Sequence, residues 1–121
     1  MSATVWVAVA LLGGTGAVAR FVLDAAIGAR GGREFPFGTL AINASGALIL
    51  GGLTGLAISG NALLLAGTAT LGSYTTFSTW MLETHRLRED ARFVAALANV
   101  LISVAVGVGA AALGRTLGAH L

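Results

Sequence analysis

Residues 35–82 contain no charged side chain and no histidine. Near the end of that run lies Gly72-Ser73-Tyr74-Thr75-Thr76-Phe77-Ser78-Thr79-Trp80, with five Ser/Thr hydroxyls and three aromatic rings. Hydrocarbon has no hydrogen-bonding groups, so a helix in lipid satisfies its own backbone and carries apolar side chains. A glycine followed by a hydroxyl cluster at membrane depth is therefore costly unless it faces protein, ions or water. Irregular or polar backbone there is tolerated where it lines a cavity. The segment reads as part of a transport path.

Composition agrees with a membrane setting. Of 121 residues, 56% are hydrophobic and 10% charged, against roughly 25% charged in soluble domains. One small core could not bury so much apolar surface, so the chain is expected to be an all-α, multi-pass membrane protein. The high isoelectric point, about 10.5, reflects seven arginines against five acids with no lysine. Those arginines are scattered, which argues against nucleic-acid binding. The absence of cysteine removes disulfides and thiolate sites. Residues 1–19 carry no basic side chain to form the n-region of a cleaved signal peptide, so none is expected.

A crossing helix needs roughly 20 apolar residues, and the charge map then gives four spans in a single domain, residues 1–121. They run from about 4 to 27, 38 to 58, 62 to 82 and 93 to 114. Pro36 suits a helix start, Ser59-Gly60-Asn61 a tight turn. The stretch 83–92 holds six of the twelve formal charges and is expected to be an aqueous loop. Eighteen glycines are about twice the usual share of roughly 7%. Gly13/Ala17, Gly51/Gly55, Ala105/Gly109 and Gly107/Ala111 are small-xxx-small pairs, which let helices approach closely in lipid. Helices packed so tightly leave little room for a pore within one subunit, so a path at a subunit interface, and at least a dimer, is expected.

Several polar residues fall inside these spans. Thr39 and Asn43 are one turn apart and share a face; the Asn43 amide can line a path or bond a neighbouring helix. Arg20, near a span end, can snorkel to the interface or pair with Asp24 at i,i+4. Asn99 and Ser103, also one turn apart, fit packing and pore lining equally. His85 and His120 read as surface histidines. No carboxylate, lysine or histidine lies deep in a span, so a proton-coupled carrier has no candidate group. Phe77 and Trp80 lie on one helical face, and aromatic rings present a positive edge. Donors and ring edges without fixed positive charge suit a small, strongly hydrated anion. A helix break over 72–75 would also free carbonyls at the negative end of a half-helix, which favour a cation.

Three segments resemble a known family. Gly13-Gly14-Thr15-Gly16-Ala17-Val18-Ala19-Arg20-Phe21 resembles the GGxGAxxRY opening of the Fluc (CrcB-type) fluoride channels. Gly38-Thr39-Leu40-Ala41-Ile42-Asn43-Ala44-Ser45-Gly46 is similar to their GTLxVNxxG motif, and residues 72–79 to their GxxTTFST motif. Together, in order, they span most of the chain. The resemblance implies a passive fluoride-selective channel in the cell membrane that exports fluoride and lowers its toxicity. It implies two antiparallel subunits of dual topology, an interrupted third helix and two pores along the interface. Asn43 would be the pore-lining amide, Phe77 a ring of an aromatic box, and Ser78 and Thr79 hydroxyls along the track, with Arg20 near the vestibule. Carbonyls of Gly72 and Thr75 would hold a structural, non-transported sodium ion. Two departures stand out. Trp80 replaces the family's second Phe, altering the box and adding an indole N–H, and Ser103 is the candidate for the fourth helix's pore hydroxyl.

Other classes are weaker. A four-helix multidrug exporter needs a deeply embedded carboxylate, and Asp24 sits at a span end. A non-transporting assembly protein would leave the cluster at 72–80 unexplained. No nucleophile–base pair or metal-ligand set marks an enzyme. With four spans, both termini and the 59–61 turn share one side, where the arginine is Arg115. The other carries Arg30, Arg33, Arg86, Arg88 and Arg92. That bias favours one orientation. The partner is then either an identical antiparallel chain or a sister chain of opposite bias.

Overall fold

The computed structural model describes residues 1–31 and 34–121; Arg33, counted above in the charge bias, lies outside them. Among the described residues every regular element is helical. Helix α1 spans Ala3–Gly31, α2 spans Phe37–Gly55 and α6 spans Phe93–Ala119, and each is long and apolar enough to cross a membrane. The 29 residues of α1 extend about 43 Å at 1.5 Å per residue, more than the ~30 Å hydrocarbon layer. Between α2 and α6 the chain is broken into pieces. Helix α3, Gly60–Leu63, runs into a π-helical stretch, Leu64–Leu71, and then α4, Gly72–Tyr74. Regular helix stops over residues 75–77, and α5, Ser78–Glu89, begins beyond them.

The chain is turned inside out relative to a soluble fold. Val94, Phe21, Phe77 and Leu11 are exposed, whereas Thr39 and Asn99 are buried with Ile42, Ala69 and Leu87. Large apolar side chains outside and small or polar groups inside is the arrangement lipid imposes, since apolar tails give helices no reason to hide leucine from them. The most extensive helix pair, α2 with α6, is built on glycine. A Cβ at Gly51 would overlap the Ala111 carbonyl, and one at Gly114 the Leu48 carbonyl. Gly51/Gly55 therefore works as the spacing predicts. On α6, however, Gly107 and Gly109 face open space. Of the α6 residues named from the sequence, Ala111 meets Gly51, and Gly114 and Gly118 make the remaining close approaches.

The segment 83–92 corrects an expectation. Its charges imply water but not a loop: α5 continues helical to Glu89, and the turn to α6 is confined to residues 90–92. Here Ala91 takes φ +58°, with Arg92 N–H bonded to the Leu87 carbonyl at 2.8 Å and Ala91 N–H to the Arg88 carbonyl at 3.0 Å. This is a Schellman closure with alanine where glycine is usual. Ala57, φ +59°, closes α2 in the same way, with Ile58 N–H on the Leu53 carbonyl at 3.0 Å.

Left-handed alanine costs about 1–2 kcal/mol, offset on conversion to glycine by about 0.4–1 kcal/mol of unfolded-state entropy. Ala91→Gly should thus stabilise the protein by roughly 0.5–1 kcal/mol in an equilibrium unfolding titration in mixed micelles. An unchanged or lowered midpoint would show that the turn is unstrained.

Candidate functional site

The break at 75–77 is held open by side chains. Thr75 adopts an extended backbone, φ −81° and ψ 163°. The Thr76 N–H then points away from the Gly72 carbonyl, its partner in a continuous α-helix. It donates instead to Asn43 Oδ1 at 2.9 Å, while Asn43 Nδ2 donates to the Thr76 carbonyl at 2.8 Å. The amide thus satisfies both main-chain groups of one residue, as a neighbouring strand would. Arg20 Nη1 donates to the Thr75 carbonyl at 3.2 Å, and the Thr75 hydroxyl donates to the Leu71 carbonyl at 3.0 Å. Thr76 Oγ1 accepts from the Thr79 N–H at 3.1 Å, answering a first-turn N–H of α5 from the break ahead of it.

Packing fixes the other side of the break. A Cβ on Gly46 would overlap the Thr75 methyl, so glycine there lets α2 lie against the extended residue. The Ser45 hydroxyl donates to the Ile42 carbonyl at 3.0 Å and contacts the Tyr74 hydroxyl at 2.9 Å. Its one proton is thereby used, and Tyr74 is the donor of that pair. The π-helical stretch supplies the wide turn before the break. In it, the Thr70 hydroxyl reaches back five residues to the Leu65 carbonyl at 2.7 Å.

Two cavities meet at Thr76. A groove of 640 Å³ is lined by Asn43, Gly72, Thr75, Thr76, Phe77 and Trp80, with apolar residues of α2 and the π-helical stretch. A smaller cavity of 240 Å³ is lined by Arg20, Asp24, Thr39, Thr76 and Thr79 together with Phe21. Asp24 also lines a third, 660 Å³ recess with Glu83, Arg86, Asp90 and Arg92. Charged groups therefore gather at one end, and hydroxyls, an amide and ring edges follow towards the groove. Phe77 and Trp80 stand edge to face, centroids 5.7 Å apart at 85°.

The residues singled out from sequence separate into groups. Asn43, Phe77 and Trp80 share the groove. Thr39, Thr79 and Arg20 line the smaller cavity, so Thr39 and Asn43 fall on opposite sides of Thr76 despite sharing a helical face. Ser78 is exposed, its hydroxyl 3.4 Å from that of Thr76. Ser103 joins neither cavity; its hydroxyl faces Asn99 Oδ1 at 3.5 Å. The Trp80 indole N–H is not a donor to the groove, because it bonds the Asn99 carbonyl at 3.0 Å.

Arg20 does not pair with Asp24. Among the described residues the ion pair formed is His85–Glu89, 3.2 Å and exposed. The Asp24 carboxylate instead abuts Gly38 at the start of α2, where the helix dipole favours an anion. Glu83, assigned to a loop by sequence, is half-buried on α5 with one carboxylate oxygen lacking a hydrogen-bond partner. Thr76 and Glu83 are the residues that spacing alone did not single out. Only the position of Glu83, one residue past an apolar run, hinted at a carboxylate drawn inward.

The chain matches known proteins over almost its whole length. Residues 7–115 match the family model described as CrcB-like protein, Camphor Resistance (CrcB). A protein of Mycolicibacterium paratuberculosis named fluoride-specific ion channel FluC 2 is 59% identical over 113 residues, 93% of each chain. One of the same name from Mycobacterium bovis is 52% identical over 115 residues, 95% of this chain and 91% of the relative. A FluC 1 from Symbiobacterium thermophilum is 43% identical over 93% of this chain and 96% of the relative. With that coverage and the Asn43-held break built from the matching motifs, the chain belongs to the CrcB family of fluoride-channel-like membrane proteins.

Proposed function

We propose that this chain is a subunit of a passive, fluoride-selective channel that lets fluoride leave the cell and so lowers its cytoplasmic level. It is an ion-conducting protein and not an enzyme. The observation that carries the reading is the identity, 59% and 52% over more than nine-tenths of the chain, to proteins named fluoride-specific ion channels. The chemistry of the site supports it. Asn43 uses one Nδ2 hydrogen on the Thr76 carbonyl, and the amide's second hydrogen remains for an ion. Phe77, 69% exposed in the single chain, offers its ring edge, where an anion is favoured. Among the described residues no cationic side chain lines the groove. A strongly hydrated anion can thus exchange water for neutral donors without being trapped. Arg20 and Arg86, in the smaller cavity and the outer recess, offer guanidinium donors before the narrow part, set among the carboxylates of Asp24, Glu83 and Asp90.

In this reading the pieces from Gly60 to Glu89 form the third of four crossings, in the plasma membrane. Two antiparallel copies complete the path, because the groove between α2 and residues 63–80 is open along its outer side in a single chain. The structural sodium belongs to the same reading. The Gly72 carbonyl has lost its helical donor to the Asn43 clamp, and the Thr75 carbonyl has one of its two acceptor positions taken by Arg20. Both fit a hard cation, which takes oxygen ligands, Gly72 more freely than Thr75. When bound, sodium would supply a fixed positive charge beside those carbonyls.

The arginine bias favours a second reading of the partner. Arg30, Arg86, Arg88 and Arg92 lie at one end and Arg115 at the other, which directs a single orientation. A sister chain of opposite bias would then supply the antiparallel partner.

Liposomes holding only the purified chain should release fluoride down its gradient without proton coupling and exclude chloride. A fluoride electrode reading no faster than empty vesicles would reject a self-sufficient channel, and equal chloride flux would reject selectivity. Labelling single cysteines at Ser2 and His85 in intact cells separates the two partner readings. Modification of each from both sides of the membrane is expected for the identical pair. One-sided modification requires the sister chain.

A further inference from the structure

Trp80 is held from α6 at two points. Its indole N–H donates to the Asn99 carbonyl at 3.0 Å. Its own main-chain carbonyl accepts the Thr84 hydroxyl at 2.9 Å and faces Asn99 Nδ2 at 3.5 Å. Because the Thr84 proton is directed to Trp80, the Thr84 oxygen is free to accept, and it does so from Asn99 Nδ2 at 2.8 Å. One residue of α6 thus receives the ring through its backbone and grips the helix that carries the ring through its side chain. Asn99 is 1% exposed. An amide sealed at membrane depth is retained only if its polar groups are answered, and here they are answered largely by residues 80 and 84.

The consequence reaches the groove. Trp80 lines it and meets Phe77 edge to face. A ring hung from one helix can rotate about χ1 and χ2; a ring tied by its N–H to a second helix cannot do so without breaking that bond. We infer that Asn99 is a positioning residue that fixes the Trp80 ring in the groove, and through it the aperture beside Phe77. A smaller ring at position 80 has no N–H with which to be tethered, so the device is specific to a chain bearing tryptophan there. The effect on flux rests on the channel reading above, whereas the fixed ring does not.

The test uses the full-length protein with Trp6→Phe, which leaves Trp80 as the sole tryptophan. Near-UV circular dichroism and fluorescence anisotropy report the ring, and fluoride efflux from liposomes reports the path. Asn99→Leu keeps the main-chain carbonyl but removes the amide's grip on residues 80 and 84, so it should weaken the tryptophan dichroism, lower the anisotropy and change efflux at least fivefold. Thr84→Val, which removes the far anchor while keeping the side chain's bulk, should move both readouts in the same direction by less. It carries the test if Asn99→Leu fails to fold. Adding either substitution to Trp80→Phe should change efflux by less than twofold, since the ring it acts through no longer has a tether.

An unchanged tryptophan signal in the folded variants overturns the positioning role. So does an efflux change as large in the Trp80→Phe background as in the parent, which would make Asn99 ordinary helix packing. If the parent alone passes no fluoride, the self-sufficient channel falls, and the spectroscopic comparison still decides whether Asn99 fixes the ring.

Discussion

The pair of hydrogen bonds between the Asn43 amide and the main chain of Thr76 is the constraint on which the site depends. An interrupted helix at membrane depth leaves main-chain groups that lipid cannot satisfy, each worth several kcal/mol. Asn43 answers the N–H and C=O of Thr76 together, and Arg20 answers the carbonyl of Thr75. With those groups settled, the chain can turn at 75–77, restart as α5 and set Phe77 and Trp80 side by side. Without the amide, a continuous helix would regain the lost bonds and rotate the residues beyond the break.

The surrounding helices make that interruption affordable by being rigid and close. Glycines on α2 and α6 bring two backbones together, and α2 is the helix that carries Asn43. The same helix uses Gly46 to admit the Thr75 methyl. Position is therefore transmitted from a glycine-lined seam to a single amide. The large apolar side chains point outward, where lipid or a second subunit meets them.

Much of this was legible in the sequence because the cost of polarity in lipid is so large. A hydroxyl cluster in a charge-free run had to mark a special backbone, and it lies where the helix breaks. The errors came from features in which period and composition are degenerate. Thr39 and Asn43 are separated by about 40° on a helix of 3.6 residues per turn. That small angle decides which side of Thr76 each one faces. Gly107/Ala111 and Gly114/Gly118 have the same pattern, and only the course of α2 leaves Gly107 outside the seam while Ala111, Gly114 and Gly118 enter it. Charge marked residues 83–92 as wet but said nothing about helicity, so the inward turn of Glu83 was missed. The destination of the Trp80 N–H depended on a carbonyl 19 residues away, beyond the reach of local spacing.

The central claim is that the Asn43 clamp both holds the break and lines the ion path. Its most direct measurement is fluoride efflux by Asn43→Leu, which preserves side-chain volume but removes both hydrogen-bonding groups. Efflux is read beside amide exchange at Thr76. The account predicts at least a tenfold loss of flux together with altered protection at Thr76, in a protein of unchanged oligomeric size. Parental flux from a folded Asn43→Leu protein would contradict it.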